Sequence, residues 1–174
     1  MVTPSDGVAT DADRLFRYRN SASYMEDKKE SLTVPGRYAE IRHICDFVAQ
    51  GATQAGFDDD AIFQVQLACD EACTNIIEHT YEAEDAGDIQ VTWEIGRRYF
   101  KIVIEDNGKE FNPGEIPPAP VPPPPVQVEN DDNFDVRVGG LGVYFMRKLM
   151  DKVTFDYAEG SGNVLTMVKR LPEK

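Results

Sequence analysis

Apolar residues recur along this chain first at intervals of three and four, then at intervals of two, and after a break in both patterns again. Ile41, Ile44, Cys45, Val48 and Ala52 predict an amphipathic helix from Arg37 to about Ala55, which Gly56 ends. A second helix opens on Asp58 to Asp60, an N-cap with negative charge where the helix dipole favours it. Its apolar face is Ile62, Val65, Ala68, Ala72 and Ile76, and it is expected to continue through "DEACTNIIEH", Asp70 to His79. Ahead of the helices, "ESLTVPG" (Glu30 to Gly36) reads as a short strand stopped by proline and glycine.

The period then changes. Ile89, Val91, Trp93 and Ile95 alternate with polar residues, as do Phe100, Ile102 and Ile104 beyond the short link Gly96 to Arg98. Two period-two runs so closely joined predict an antiparallel hairpin, polar on one face and covered by helices on the other. Val143, Met146, Leu149 and Met150 predict a third helix, with Arg147 and Lys148 at its C-terminal end. "VTFDYAEGSGNVLTMVKRL" reads as a second hairpin turning at Glu159 to Gly162. The order is strand, two helices, two strands, break, helix, two strands. It predicts an α/β (α+β) two-layer sandwich with a mixed, mainly antiparallel sheet covered by helices on one face. Residues 1–29 lack sustained periodicity and are expected to form a flexible extension, leaving one domain at residues 30–174.

The break is rich in proline: eight of the 11 prolines lie between Pro113 and Pro125. Proline lacks the amide proton that helix and sheet require, so this stretch is no core element. It is either a stiff linker or a long lid over a site, and a lid at about residues 111–138 is the reading taken here.

Charge narrows the function. A net charge of -13 excludes ordinary nucleic-acid binding, which needs clustered cations facing phosphates. No apolar run approaches the roughly 18 residues of a membrane span, and the opening stretch shows no secretory pattern, so a cytoplasmic location is expected. The three cysteines, Cys45, Cys69 and Cys73, do not suggest a disulfide framework. Cys69, Cys73 and His79 could be metal ligands, but small thiols in an apolar helix are more often plain core residues.

Three places carry candidate chemistry. Glu71, Asn75 and His79 fall four apart and would stack along one stripe of the second helix. An isolated E-x-x-x-N is common on solvated helices, but apolar flanks make an unpaired carboxylate there costly. A magnesium ion gives such a pair a purpose, because it takes hard oxygen ligands and needs few protein groups beside phosphates. Glu71 could then accept a proton from a nucleophile. In "VIEDNGKEFNP", Asp106 ends a strand and Gly108 lets the chain turn away. An aspartate held there can be an ordinary turn residue, or can accept a hydrogen bond from the exocyclic amine of adenine. In "VGGLGVYFM", Gly139, Gly140 and Gly142 precede a helix whose free amides could face phosphates, though this is neither a Walker loop nor a dinucleotide fingerprint.

Taken in order, these elements resemble the N, G1 and G2 boxes of the GHKL ATPase superfamily with its Bergerat nucleotide fold. "LACDEACTNIIEHTY" and "VPGRYAEIRHICDFV" are especially similar to the bacterial anti-sigma-factor serine/threonine kinases, and the likeness covers about Ser31 to Leu171. The resemblance implies Glu71 as general base, Asn75 as the Mg²⁺ ligand and Asp106 as the adenine reader. It extends the ATP site to His79, Gly108, Phe111, Gly139, Gly140, Leu141, Gly142 and Val143. It also implies an anti-sigma factor antagonist as protein substrate, a sigma factor or other regulator as second partner, and a homodimer. One departure stands out: Glu110 occupies the position of the second glycine of an Asp-x-Gly-x-Gly motif. A non-catalytic ATP-binding module that sequesters a partner is the alternative reading.

Overall fold

The computed structural model describes residues 28–112 and 141–173. They form one five-stranded sheet with three helices against one face. In chain order the elements are β1 (Lys28–Pro35), α1 (Tyr38–Ala55), α2 (Asp59–Asn75), a π-helical turn (Ile76–Tyr81), β2 (Asp88–Ile95), β3 (Tyr99–Asp106), α3 (Leu141–Leu149), β4 (Lys152–Ala158) and β5 (Gly162–Arg170).

Local signals set the helix ends. Gly56 takes a left-handed conformation with φ of 87°, and its amide donates back to the Ala52 and Thr53 carbonyls. Asp58 caps α2 by accepting from the Ala61 amide at 2.8 Å. On α1 the buried positions Ile41, Ile44, Val48 and Ala52 follow the expected helical stripe. Gly51 on the same face lies against Trp93, where an added Cβ would come within 2.7 Å of the indole.

The strand order is β1-β2-β3-β5-β4, and each of the four pairings is antiparallel. The parallel component of the expected mixed sheet is therefore absent among the described residues. Tight links make the hairpin pairings β2-β3 and β4-β5 antiparallel, and the paired helices α1 and α2 between β1 and β2 return the chain in the opposite sense. Alternation along the central strands sends Ile89, Val91, Trp93 and Ile95 of β2, and Phe100, Ile102 and Ile104 of β3, into the core. The outer face carries polar cross-strand pairs such as Lys101 opposite Glu94, 2.7 Å apart. No helix of the described residues is long and apolar enough to cross a membrane.

The second helix departs from expectation. Its α-helical part stops at Asn75, and the chain continues as a wider π turn to Tyr81. A π turn holds more residues than an α turn, so it breaks the fourfold stacking of Glu71, Asn75 and His79. The Thr80 hydroxyl donates to the Ile76 carbonyl at 2.8 Å, and the Thr80 carbonyl accepts from the Lys109 amide at 3.1 Å. The loop after β3 is docked there. The proposed extension at 1–29, all but its last two residues, and the proline-rich stretch from 113 onward lie outside the described residues.

Candidate nucleotide-binding cleft

A cleft opens where α2 and α3 meet the ends of β3 and β5. Its walls are largely apolar, including Ala72, Ile76, Met146 and Leu165, and its polar groups are Asn75, Thr80, Asp106, Asp156 and Asn163. A mostly apolar cleft with a few convergent polar groups is the usual form of a small-molecule site.

Asp106 reaches it by the pleat. Phe100, Ile102 and Ile104 point inward, so Asp106, two residues further, also points inward and is 5% exposed. Its Oδ1 accepts from the Gly108 amide at 2.8 Å and from the Asn163 side-chain amide at 2.9 Å. Gly108 is required by crowding: an added Cβ would lie 2.7 Å from the Thr80 carbonyl oxygen. Phe111 is half-buried in the cleft, its ring 5.5 Å from that of Phe155, and its amide donates to Asn163 Oδ1 at 2.8 Å.

Glu71 and Asn75 sit one turn apart on α2, and Gly142 of α3 closes on both. An added Cβ at Gly142 would lie 2.7 Å from Glu71 Oε2 and 3.1 Å from Asn75 Nδ2. The Asn75 Nδ2 position is buried and has no hydrogen-bond partner among the described residues. Nitrogen and oxygen of an amide exchange by a simple flip, so this end of Asn75 can offer an oxygen to a cation as well as a donor to an anion. The orphaned buried amide can give Mg²⁺ a hard oxygen with phosphates as the remaining ligands, while the half-buried carboxylate beside it stays free to take a proton. Burial pushes the Glu71 carboxyl above its ordinary value, and the neighbouring Asp70 and Glu78 charges push it further. Such a group is a stronger proton acceptor than a free carboxylate.

The remaining predicted residues divide. Val143 is buried beside Gly142, and Leu141 begins α3. His79 is not brought to the cleft: its side chain is exposed on the π turn, 4.0 Å from Glu78. Gly139 and Gly140 lie outside the described residues. Cys69 and Cys73 are free, fully buried thiols whose ionisation burial opposes, and no cluster of three His, Cys, Asp or Glu groups suited to a metal occurs among the described residues. Three polar lining residues were missed, Asp156 among them. Thr80 carried no sequence signal, but Asn163 did: counting inward by twos from Met167 through Leu165 places it in the interior.

A helix-covered antiparallel sheet with this cleft at its strand ends is a ligand-binding two-layer sandwich, and the family match gives its class. The family described as "Histidine kinase-like ATPase domain" matches residues 34–169, and the chain belongs to it. Among curated proteins the chain is similar to the serine-protein kinase RsbW of Listeria monocytogenes, 34% identical over 115 residues, covering 66% of this chain and 71% of that one. The serine-protein kinase RsbW of Halalkalibacterium halodurans is 29% identical over 140 residues, covering 80% and 82%. The solved catalytic domain of the histidine kinase ThkA aligns with a TM-score of 0.47 and 13% identity, over 82% of this chain and 98% of that one.

Proposed function

We propose that this chain is an ATP-dependent protein serine/threonine kinase. In this reading it acts as an anti-sigma factor or similar regulator in the cytoplasm, phosphorylating a small antagonist protein in a partner-switching pathway. A sigma factor or other regulator is the second partner, and the working form is a homodimer. Residues 30–174 are the kinase domain, with residues 1–29 as an extension and about 111–138 as the ATP lid. The observation that carries the proposal is the convergence of Glu71, Asn75 and Gly142 beside the cleft that Asp106 enters. The relatives named serine-protein kinase support the same activity.

In the mechanism, Asp106 accepts from the exocyclic amine of adenine, and Ile76, Met146 and Phe111 supply apolar surface for the base. Asn75 would hold Mg²⁺, which supplies positive charge against the phosphates when bound. Leu141, Gly142 and Val143 at the start of α3 would bring the chain close to the phosphates, and the sequence resemblance assigns Gly139 and Gly140 to the same contact. Glu71 takes the proton from the acceptor hydroxyl while its oxygen bonds to the γ-phosphorus and the bond to ADP breaks. Positioning and charge neutralisation do most of the work, as in other phosphoryl transfers. His79, exposed on the π turn beside Glu78, has no step in this mechanism.

The test is a titration of the purified protein with ATP, with and without Mg²⁺, followed by addition of a candidate antagonist and γ-labelled ATP. Binding followed by label on a serine or threonine supports the kinase. Binding without transfer favours the non-catalytic module, and no binding of adenine nucleotide defeats both.

A further inference from the structure

We propose that Asn163 sets the base selectivity of the cleft by holding Asp106 in one orientation, an inference that rests on the nucleotide-binding reading above. β5 pairs with β3 so that Asn163 lies directly opposite Asp106, and both point inward, 7% and 5% exposed. The Asn163 amide nitrogen uses both its hydrogens, one on Asp106 Oδ1 at 2.9 Å and one on the Lys109 carbonyl at 2.9 Å. Its oxygen accepts from the Phe111 amide at 2.8 Å. With two acceptors at one end and an N–H at the other, a flip would place like against like at three contacts. The amide orientation is therefore fixed by its surroundings.

That fixed amide orients the carboxylate. Both hydrogen bonds to Asp106 among the described residues, from Gly108 and from Asn163, fall on Oδ1. Oδ2 is left as the acceptor for a purine amine. Without Asn163 the carboxylate keeps only the Gly108 bond and can turn about its side-chain torsions. A carboxylate free to turn accepts an amine less well and meets the guanine carbonyl with less repulsion, since it can swing aside. Selectivity built on a hydrogen bond to the ligand is lost when the protein partner is not held in place. Asn163 is thus a positioning residue, and it acts through Asp106.

The experiment compares equilibrium binding of ATP, GTP and purine riboside triphosphate, which lacks the 6-amino group, to the full chain. The wild type is expected to prefer ATP over both. In Asn163→Ala the preference for ATP over the deaminated analogue should shrink by about tenfold or more, the loss of a hydrogen bond to a charged acceptor. In Asp106→Ala it should vanish, and the double variant should lose no more than Asp106→Ala alone. A merely structural role would weaken all three nucleotides equally and leave the ratios unchanged. Asn163→Ser, whose hydroxyl can meet only one partner, supplies a second folded variant with an intermediate ratio. An unchanged ratio in either folded variant overturns the proposal while leaving ATP binding by the wild type intact. Absence of wild-type ATP binding overturns the nucleotide-binding reading, and this inference falls with it.

Discussion

Gly142→Ala separates chemistry from stability at the centre of the site. The new methyl carbon would lie 2.7 Å from Glu71 Oε2, where ordinary contact begins at 3.4 Å. The carboxylate must retreat by about 0.7 Å, because the carboxyl end of Glu71 is free to swing and the helix backbones are not. Asn75 Nδ2, at 3.1 Å from the same carbon, must yield by a few tenths of an ångström. Neither shift exposes core, and alanine is favoured over glycine in a helix by up to about 1 kcal/mol, so the melting temperature should hold or rise. Misplacing a reacting group by about 1 Å can cost on the order of 10²-fold in rate. Transfer of label to the antagonist should therefore fall by about 10- to 100-fold. The assay is single-turnover phosphorylation at saturating ATP, run beside a thermal melt. A variant that melts like the wild type and phosphorylates within about twofold of it would refute the placement of Glu71 at the chemical step.

Three further outcomes follow from the same geometry. Gly51→Ala sets a methyl 2.7 Å from Trp93, a fully buried ring flanked by Phe47 and Phe100 at 6.0 and 6.2 Å, so nothing can give way. Overpacking of about 1–3 kcal/mol should outweigh the gain in helix propensity and lower the urea midpoint; an unchanged midpoint would mean that α1 stands further from the sheet. Because the Glu71 carboxyl is raised in the folded protein, its charge destabilises the fold above the ordinary value of 4.5 and not below it. Glu71→Gln should therefore melt higher than the wild type at neutral pH, with the difference disappearing in acid, whereas a lower melt at neutral pH would contradict the burial argument. Asp106→Ala should weaken ATP binding by about tenfold or more, to the level of the deaminated analogue, while leaving the fold measurable by circular dichroism, and undiminished affinity would remove Asp106 from the base pocket.

The helices were legible because their causes are local. The stripe from Ile41 to Ala52, the left-handed Gly56 and the Asp58 cap all act within one or two turns, and α1 begins one residue from its expected start. The two hairpins were legible for the same reason. The π turn was not, since its supports are tertiary: the Thr80 carbonyl meets Lys109, and Gly108 packs against Thr80 from a loop far along the chain. Without that turn His79 would continue the stripe of Glu71 and Asn75. Asn163 was half-legible. Alternation along β5 turns it inward, but its pairing with Asp106 depends on a register between strands separated by the whole third helix. Gly142 could be read as a helix-start glycine, whereas its contact with Glu71 and Asn75 needed the packing of α3 on α2.

The most direct measurement of the central claim is γ-phosphoryl transfer by Glu71→Gln, read together with its ATP affinity. Loss of a general base costs typically 10²–10⁴-fold in rate and leaves the base pocket untouched. The account predicts wild-type ATP binding with serine or threonine phosphorylation slowed by at least about a hundredfold. Phosphorylation at the wild-type rate by this variant would contradict it.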